Sequence, residues 1–99
     1  KTLVSIGWDA FLNCIKLANV VLPNGVANIA RSAFRSCENL TDITLPNSII
    51  EIQAGAFSGC EKLIEINYDG TKEQWNNVNQ RKIFMDDKPI ENIVFLRNK

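Results

Sequence analysis

Histidine is absent from this chain of 99 residues, and with it the side chain that most often serves as general base or metal ligand near neutral pH. The serines (Ser5, Ser32, Ser36, Ser48, Ser58) have no partner to activate them as nucleophiles, and no glycine-rich loop is spaced to cradle a phosphate. An excess of either charge is also missing: 11 basic and 11 acidic residues give a formal net charge of zero. Such a balance provides no electrostatic footprint for nucleic acid or an anionic membrane. Apolar runs extend for only a few residues, too short for a membrane-crossing helix, and no charged-then-apolar leader opens the chain. These absences set the reading: no enzyme, no cofactor, no metal, no nucleic-acid partner and no membrane insertion.

What the chain does contain is itself, almost three times over. Ala10-Phe11, Ala33-Phe34 and Ala56-Phe57 recur every 23 residues, and Cys14, Cys37 and Cys60 keep the same step. So do Leu17, Leu40 and Leu63, then Val20, Ile43 and Ile66, and likewise Ile6, Ile29 and Ile52. A fixed period of this size is the mark of a solenoid, in which each unit buries its apolar face only against the next. In the middle copy Ile43 and Leu45 alternate with Asp42 and Thr44, the period-2 pattern of a half-buried strand. Pro46, lacking an N–H, is expected to stop that strand. Ile49 to Ile52 reads as a second short extended piece on the far side of the coil. Ala56 to Cys60 is too short for a full helix and reads as one helical or 3₁₀ turn. Stacked coils then place like on like, with Phe11, Phe34 and Phe57 as an aromatic spine.

The pattern I-x-x-x-A-F-x-x-C-x-x-L-x-x-I-x-L-P, carried by Ile29, Ala33, Phe34, Cys37, Leu40, Ile43, Leu45 and Pro46, resembles the BspA-like leucine-rich repeats of bacterial surface and secreted proteins. The match covers roughly residues 3–68 in register. The fold expected is an α/β-type solenoid: a right-handed leucine-rich repeat coil with a parallel sheet, short helical or 3₁₀ turns and a C-terminal cap. Residues 1–68 form three repeats, the first incomplete at its N-terminus, and residues 69–99 form the cap. Four strands are expected around 19–22, 42–45, 65–68 and 92–95. Because the chain begins inside a coil, it reads as the C-terminal fragment of a longer array, its export signal cut away. Its exposed first coil is expected to favour self-association.

After Tyr68 the period breaks. Thr71 to Val78 reads as a short helix with Thr71 as N-cap, Gln74 as its capping-box partner, and Trp75 and Val78 on one apolar edge. Lys72 falls in the slot of Ile49 and Trp75 in the slot of Ile52. Asn79 to Asp87 is a polar loop whose Ile83, Phe84 and Met85 fold back on the last coil, and Ile93 and Phe95 belong to a closing strand. Trp8, in the row of Arg31 and Ala54, reads as a packing residue that covers either the outer surface or the exposed N-terminal end.

The cysteines are expected to be buried and unbridged. Equivalent residues of a stack point in parallel, which suits a disulfide poorly. Spacing of 23 also lacks the paired ligands of a zinc site. Asp42 and Glu65 occupy one strand position in adjacent coils and read as solvated acids, since no further ligand converges there. Asp86-Asp87 reads the same way, and Asn39-Leu40-Thr41 matches a glycosylation sequon.

Outward-facing strand residues form two rows: Asn19, Asp42, Glu65 and Asn92, then Val21, Thr44, Asn67 and Val94. Asn19, Val21, Asp42, Thr44, Glu65, Asn67 and Asn92 are the candidate ligand-binding residues. Four strands about 4.8 Å apart span some 14–15 Å, a face on the order of 200 Å² against the roughly 800 Å² per partner of a standard interface. The resemblance implies a cell-surface or secreted location and an adhesin-like binding module. Its partner would be a protein or glycan of a host or neighbouring cell. The alternative is a structural spacer or terminal cap of a larger protein, with no ligand of its own.

Overall fold

The computed structural model describes residues 3–80, 83 and 92–97. Its strands are β1 (Val4–Ile6), β2 (Asn19–Val21), β3 (Val26–Ile29), β4 (Asp42–Pro46), β5 (Glu51–Ile52), β6 (Glu65–Asp69), β7 (Asn79–Gln80) and β8 (Asn92–Phe95), with one helix, α1 (Lys72–Asn76), between β6 and β7. They form two four-stranded sheets, ordered β1-β3-β5-β7 and β2-β4-β6-β8, and every pairing is parallel. The molecule is a parallel-sheet solenoid of leucine-rich repeat type. The expected closing strand is in place, with Ile66 opposite Ile93 and Tyr68 opposite Phe95. Two details differ from the sequence reading. The far-side extended pieces make a sheet of their own, and β4 continues through Pro46, which pairs with Asp69. Proline is tolerated there because it stands at the strand's last residue, where a missing N–H costs no interior ladder bond.

Between the sheets each coil turns through a string of i→i+3 bonds, such as Ala33 N–H to Ala30 O (3.1 Å) and Cys37 N–H to Phe34 O (3.3 Å). Asp9, Asn13, Ser32, Ser36, Gly55 and Gly59 all have positive φ. Two left-handed residues in each turn keep it from winding on into a helix. Alternate N–H groups, freed by this geometry, bond across to the next coil: Phe34 to Ala56 O at 2.8 Å and Ser36 to Ser58 O at 2.7 Å. The turns thereby become a third inter-coil ladder, so backbone pairing holds the stack on every side.

The core runs through the middle of the stack. Ile29, Phe34, Leu40, Ile43, Leu45 and Ile66 are fully buried, and the spine stacks Phe11 on Phe34 (centroids 5.0 Å, 10° between planes) and Phe34 on Phe57 (5.4 Å, 16°). Burial fades in the first coil, where Ile6, Phe11, Leu17 and Val20 are only partly covered and Leu3, Val4 and Ile15 are exposed.

No disulfide links the three cysteines. The Cys37 thiol donates to Phe11 O (3.1 Å) and the Cys60 thiol to Phe34 O (2.9 Å), each closing a carbonyl of the preceding coil. Burial pushes the Cys37 thiol up from its ordinary range. Cys14 departs from expectation: it is half-buried, because it lies in the thinly covered first coil. Native thiol labelling should therefore find Cys14 and spare Cys37 and Cys60, with all three reacting after denaturation. Fast native labelling of Cys37 would contradict this packing.

The last coil is longer than the others. The cap of α1 forms as read: Thr71 Oγ1 accepts from Gln74 N–H (3.1 Å) and Gln74 Oε1 accepts from Thr71 N–H (2.9 Å). Trp75 and Val78 are buried. The slot of Ile52, however, belongs to Gln80 rather than Trp75, and Asn79 pairs with Glu51. Asn79 and Gln80 are thus strand, not loop. The helix is an insertion within the coil, delaying the return to the β1-β3-β5-β7 sheet. Ile83 is buried and its carbonyl accepts from Phe57 N–H (2.9 Å), as Ala56 serves Phe34. Phe84, Met85 and Asp86-Asp87 lie outside the described residues.

Candidate functional site

The β2-β4-β6-β8 sheet turns every second residue outward, and its unbroken register converts sequence spacing into rows. Asn19, Asp42, Glu65 and Asn92 stand opposite one another in turn, and so do Val21, Thr44, Asn67 and Val94. Inward residues between them (Ile43, Leu45, Ile66, Tyr68) are buried, so the rows are fixed by the core beneath them. Asn19 and Val21 are exposed; Asp42, Thr44, Glu65 and Asn67 are half-buried by their neighbours. The side chain of Asn92 lies outside the described residues.

Within the first row, Asn19 Nδ2 donates to Asp42 Oδ2 at 2.7 Å and Thr41 Oγ1 donates to the same oxygen at 3.1 Å. Asp42 is therefore oriented by two donors. Asp42 and Glu65 stand side by side, as the spacing required, and among the described residues no group of three acidic, histidine or cysteine side chains could hold a metal ion. In the second row Val21 is 74% exposed, an aliphatic end beside polar Thr44 and Asn67. Such a strip offers methyl groups, hydroxyls and amides together.

The sequon leads directly into β4, an interior strand of this sheet. Asn39 Nδ2 donates to Ile15 O (2.6 Å) and Asn39 Oδ1 accepts from Lys62 Nζ (3.0 Å), while the single hydroxyl proton of Thr41 is shared between Asp42 Oδ2 and Ala18 O (3.1 Å each). Its polar atoms tie coil to coil. Tyr68, opposite Leu45, is held edge-on by Trp75 (5.1 Å) and Phe95 (6.5 Å). Burial, with the charge of Asp69 beside it, pushes its phenol above the ordinary range.

Sequence reasoning missed Trp8. Instead of packing, its indole is 69% exposed, with the Arg31 guanidinium carbon 5.8 Å from the ring centroid. No periodic signal could have found this, since the position varies from copy to copy: Trp8, Arg31, Ala54.

The model of the BspA type leucine rich repeat region, in 6 copies, matches residues 1–98. Among solved structures, the chain is similar to a leucine rich cell surface protein from Faecalibacterium prausnitzii A2-165. The two share 36% sequence identity and a TM-score of 0.73 over 76% of this chain and 20% of that one. The chain thus matches about a fifth of that protein's length. Comparison with the curated proteins finds no match.

Proposed function

The chain belongs to the BspA type leucine-rich repeat family, and we propose that it is a non-catalytic binding module of a cell-surface or secreted bacterial protein. It presents the β2-β4-β6-β8 face to a protein or glycan in the manner of an adhesin. The observation that carries this reading is the pair of outward rows. Their register is continuous across four strands, and Asp42 is already oriented by Asn19 and Thr41. A surface ordered before contact loses little side-chain freedom on binding. The face is small against a standard interface of about 800 Å² per partner, so contact extends to the flanking turns or to neighbouring coils of a longer array.

The test is binding of the chain to immobilised mucin and to the same mucin deglycosylated, measured by biolayer interferometry. Thr44→Arg with Asn67→Arg, at the centre of the second row, is expected to weaken capture by about tenfold or more, as for central contact residues. Glu38→Gln, on an exposed turn, should leave it unchanged. Loss of signal on the deglycosylated surface assigns the glycan; retention assigns the protein. Wild-type chain that binds neither surface, or a double variant that binds as well as wild type, overturns the reading in favour of a spacer.

A further inference from the structure

The other sheet carries a cleft of its own. Where successive coils leave β1, β3 and β5, one row holds Trp8, Arg31 and Ala54. Two large side chains are followed by a methyl group, and this step opens a cleft of about 600 Å³ between the Trp8–Arg31 pair and the wall made by Glu51, Gln53 and Asn79. The polar wall is braced: Asn79 Nδ2 donates to Glu51 Oε2 (3.4 Å) and Gln53 Oε1 accepts from the Arg31 backbone N–H (3.0 Å). On the far side of Arg31 lies a second depression of about 440 Å³, lined among the described residues by Arg35, Ser32 and Ser58, none of them a carboxylate. Arg31 and Ala54 line both, so the two adjoin.

We propose that this groove binds an acidic carbohydrate, a short chain of uronic acid units. One sugar ring lies against the indole of Trp8 and the carboxylate of a neighbouring unit reaches Arg31 and Arg35. A pyranose has an apolar C–H face and a rim of hydroxyls. The negative face of an exposed indole attracts the former. Carboxylate and amide side chains, which together donate and accept, match the latter. The two guanidinium groups supply planar, bidentate recognition of a carboxylate. What disfavours an acidic peptide such as oligoglutamate is the exposed indole of Trp8, for which that chain has no flat C–H face, while Glu51, bonded by Asn79, keeps acceptor sites for sugar hydroxyls. The groove is on the opposite sheet from the rows above, so it can fail while the sheet-face reading stands, and the reverse.

Tryptophan fluorescence reports it directly, because Trp8 is exposed and Trp75 is buried. Titration with tetragalacturonic acid should change the emission saturably, with maltotetraose binding about tenfold or more weakly. Tetraglutamate should not compete. Followed by calorimetry, Trp8→Ala should abolish uronate binding. Arg35→Gln should weaken it by about tenfold, with unchanged thermal unfolding. The Thr44→Arg and Asn67→Arg pair should bind uronate normally. Absence of a saturable uronate response, equal affinity for maltotetraose, or displacement by tetraglutamate overturns the proposal.

Discussion

Replacing Phe34 with alanine should lower the stability of the fold by about 3–5 kcal/mol, out of roughly 5–15 kcal/mol available to a domain. The ring is fully buried and stacked on both sides, on Phe11 at 5.0 Å and Phe57 at 5.4 Å. Its backbone is pinned too: the N–H bonds Ala56 O and the carbonyl accepts the Cys60 thiol. The surroundings therefore cannot collapse into the space left behind, and cavity cost adds to the lost transfer energy. Position matters as much as size. In a solenoid each coil is stabilised only by its neighbours, so a cavity in the middle coil weakens two interfaces at once. Phe11→Ala should cost less, because Phe11 is partly covered and has one ring neighbour in the spine. Trp8→Ala should fall within about 0.5 kcal/mol of wild type, as surface substitutions do, since the indole is 69% exposed. Urea unfolding of the three variants measures the order. Equal losses at Trp8 and Phe34 would contradict the packing described.

What the sequence disclosed, and what it hid, follows from where repetition acts. Ladder positions such as Leu40, Ile43 and Cys37 sit beside their own copies, so a polar residue there would be buried without a partner, and the period shows through. The outward rows were legible by the same rule, because register carries Asn19 to Asp42 and Glu65 whatever the side chains do. Three features escaped. β7 consists of Asn79 and Gln80, whose polar side chains give no alternation to read; only backbone pairing with β5 makes them strand. Its displacement by α1 moved the slot of Ile52 from Trp75 to Gln80, and counting in steps of 23 could not register an insertion. Cys14 shares the chemistry of Cys37 but less of its cover. Trp8 stands at a position the period does not constrain, so composition gave no sign that it would lie open beside Arg31.

Gly70→Ala, the addition of one methyl group, is expected to cost about 1–3 kcal/mol, the usual range for overpacking. A Cβ at this position would stand 2.5 Å from Tyr68 Cε2 and 2.7 Å from Gln74 Oε1. Neither neighbour can yield freely. Gln74 Oε1 accepts the Thr71 N–H and closes the capping box of α1, whose loss costs on the order of 1 kcal/mol. The Tyr68 ring is fully buried and flanked by Trp75 and Phe95, so turning it opens the junction between the last coil and the helix. Gln74→Ala alone should cost only the box. Combined with Gly70→Ala it should cost less than the two added together, because one of the two clashes is gone. Tyr68 is the only tyrosine in the chain, and its ionisation supplies a second readout. Burial first, then the Asp69 charge, raises its pKa in the folded protein. The folded state therefore keeps a proton that the unfolded chain releases near about pH 10. That contribution to stability is intact below the unfolded value and is lost as pH rises through the folded one. In Gly70→Ala the displaced ring should titrate closer to the ordinary value, and the alkaline loss of stability should shrink. Absorbance at the phenolate band, followed against pH for both proteins, decides it. Superimposable titrations with an unchanged melting temperature would mean that the glycine is not required where Tyr68 meets the cap.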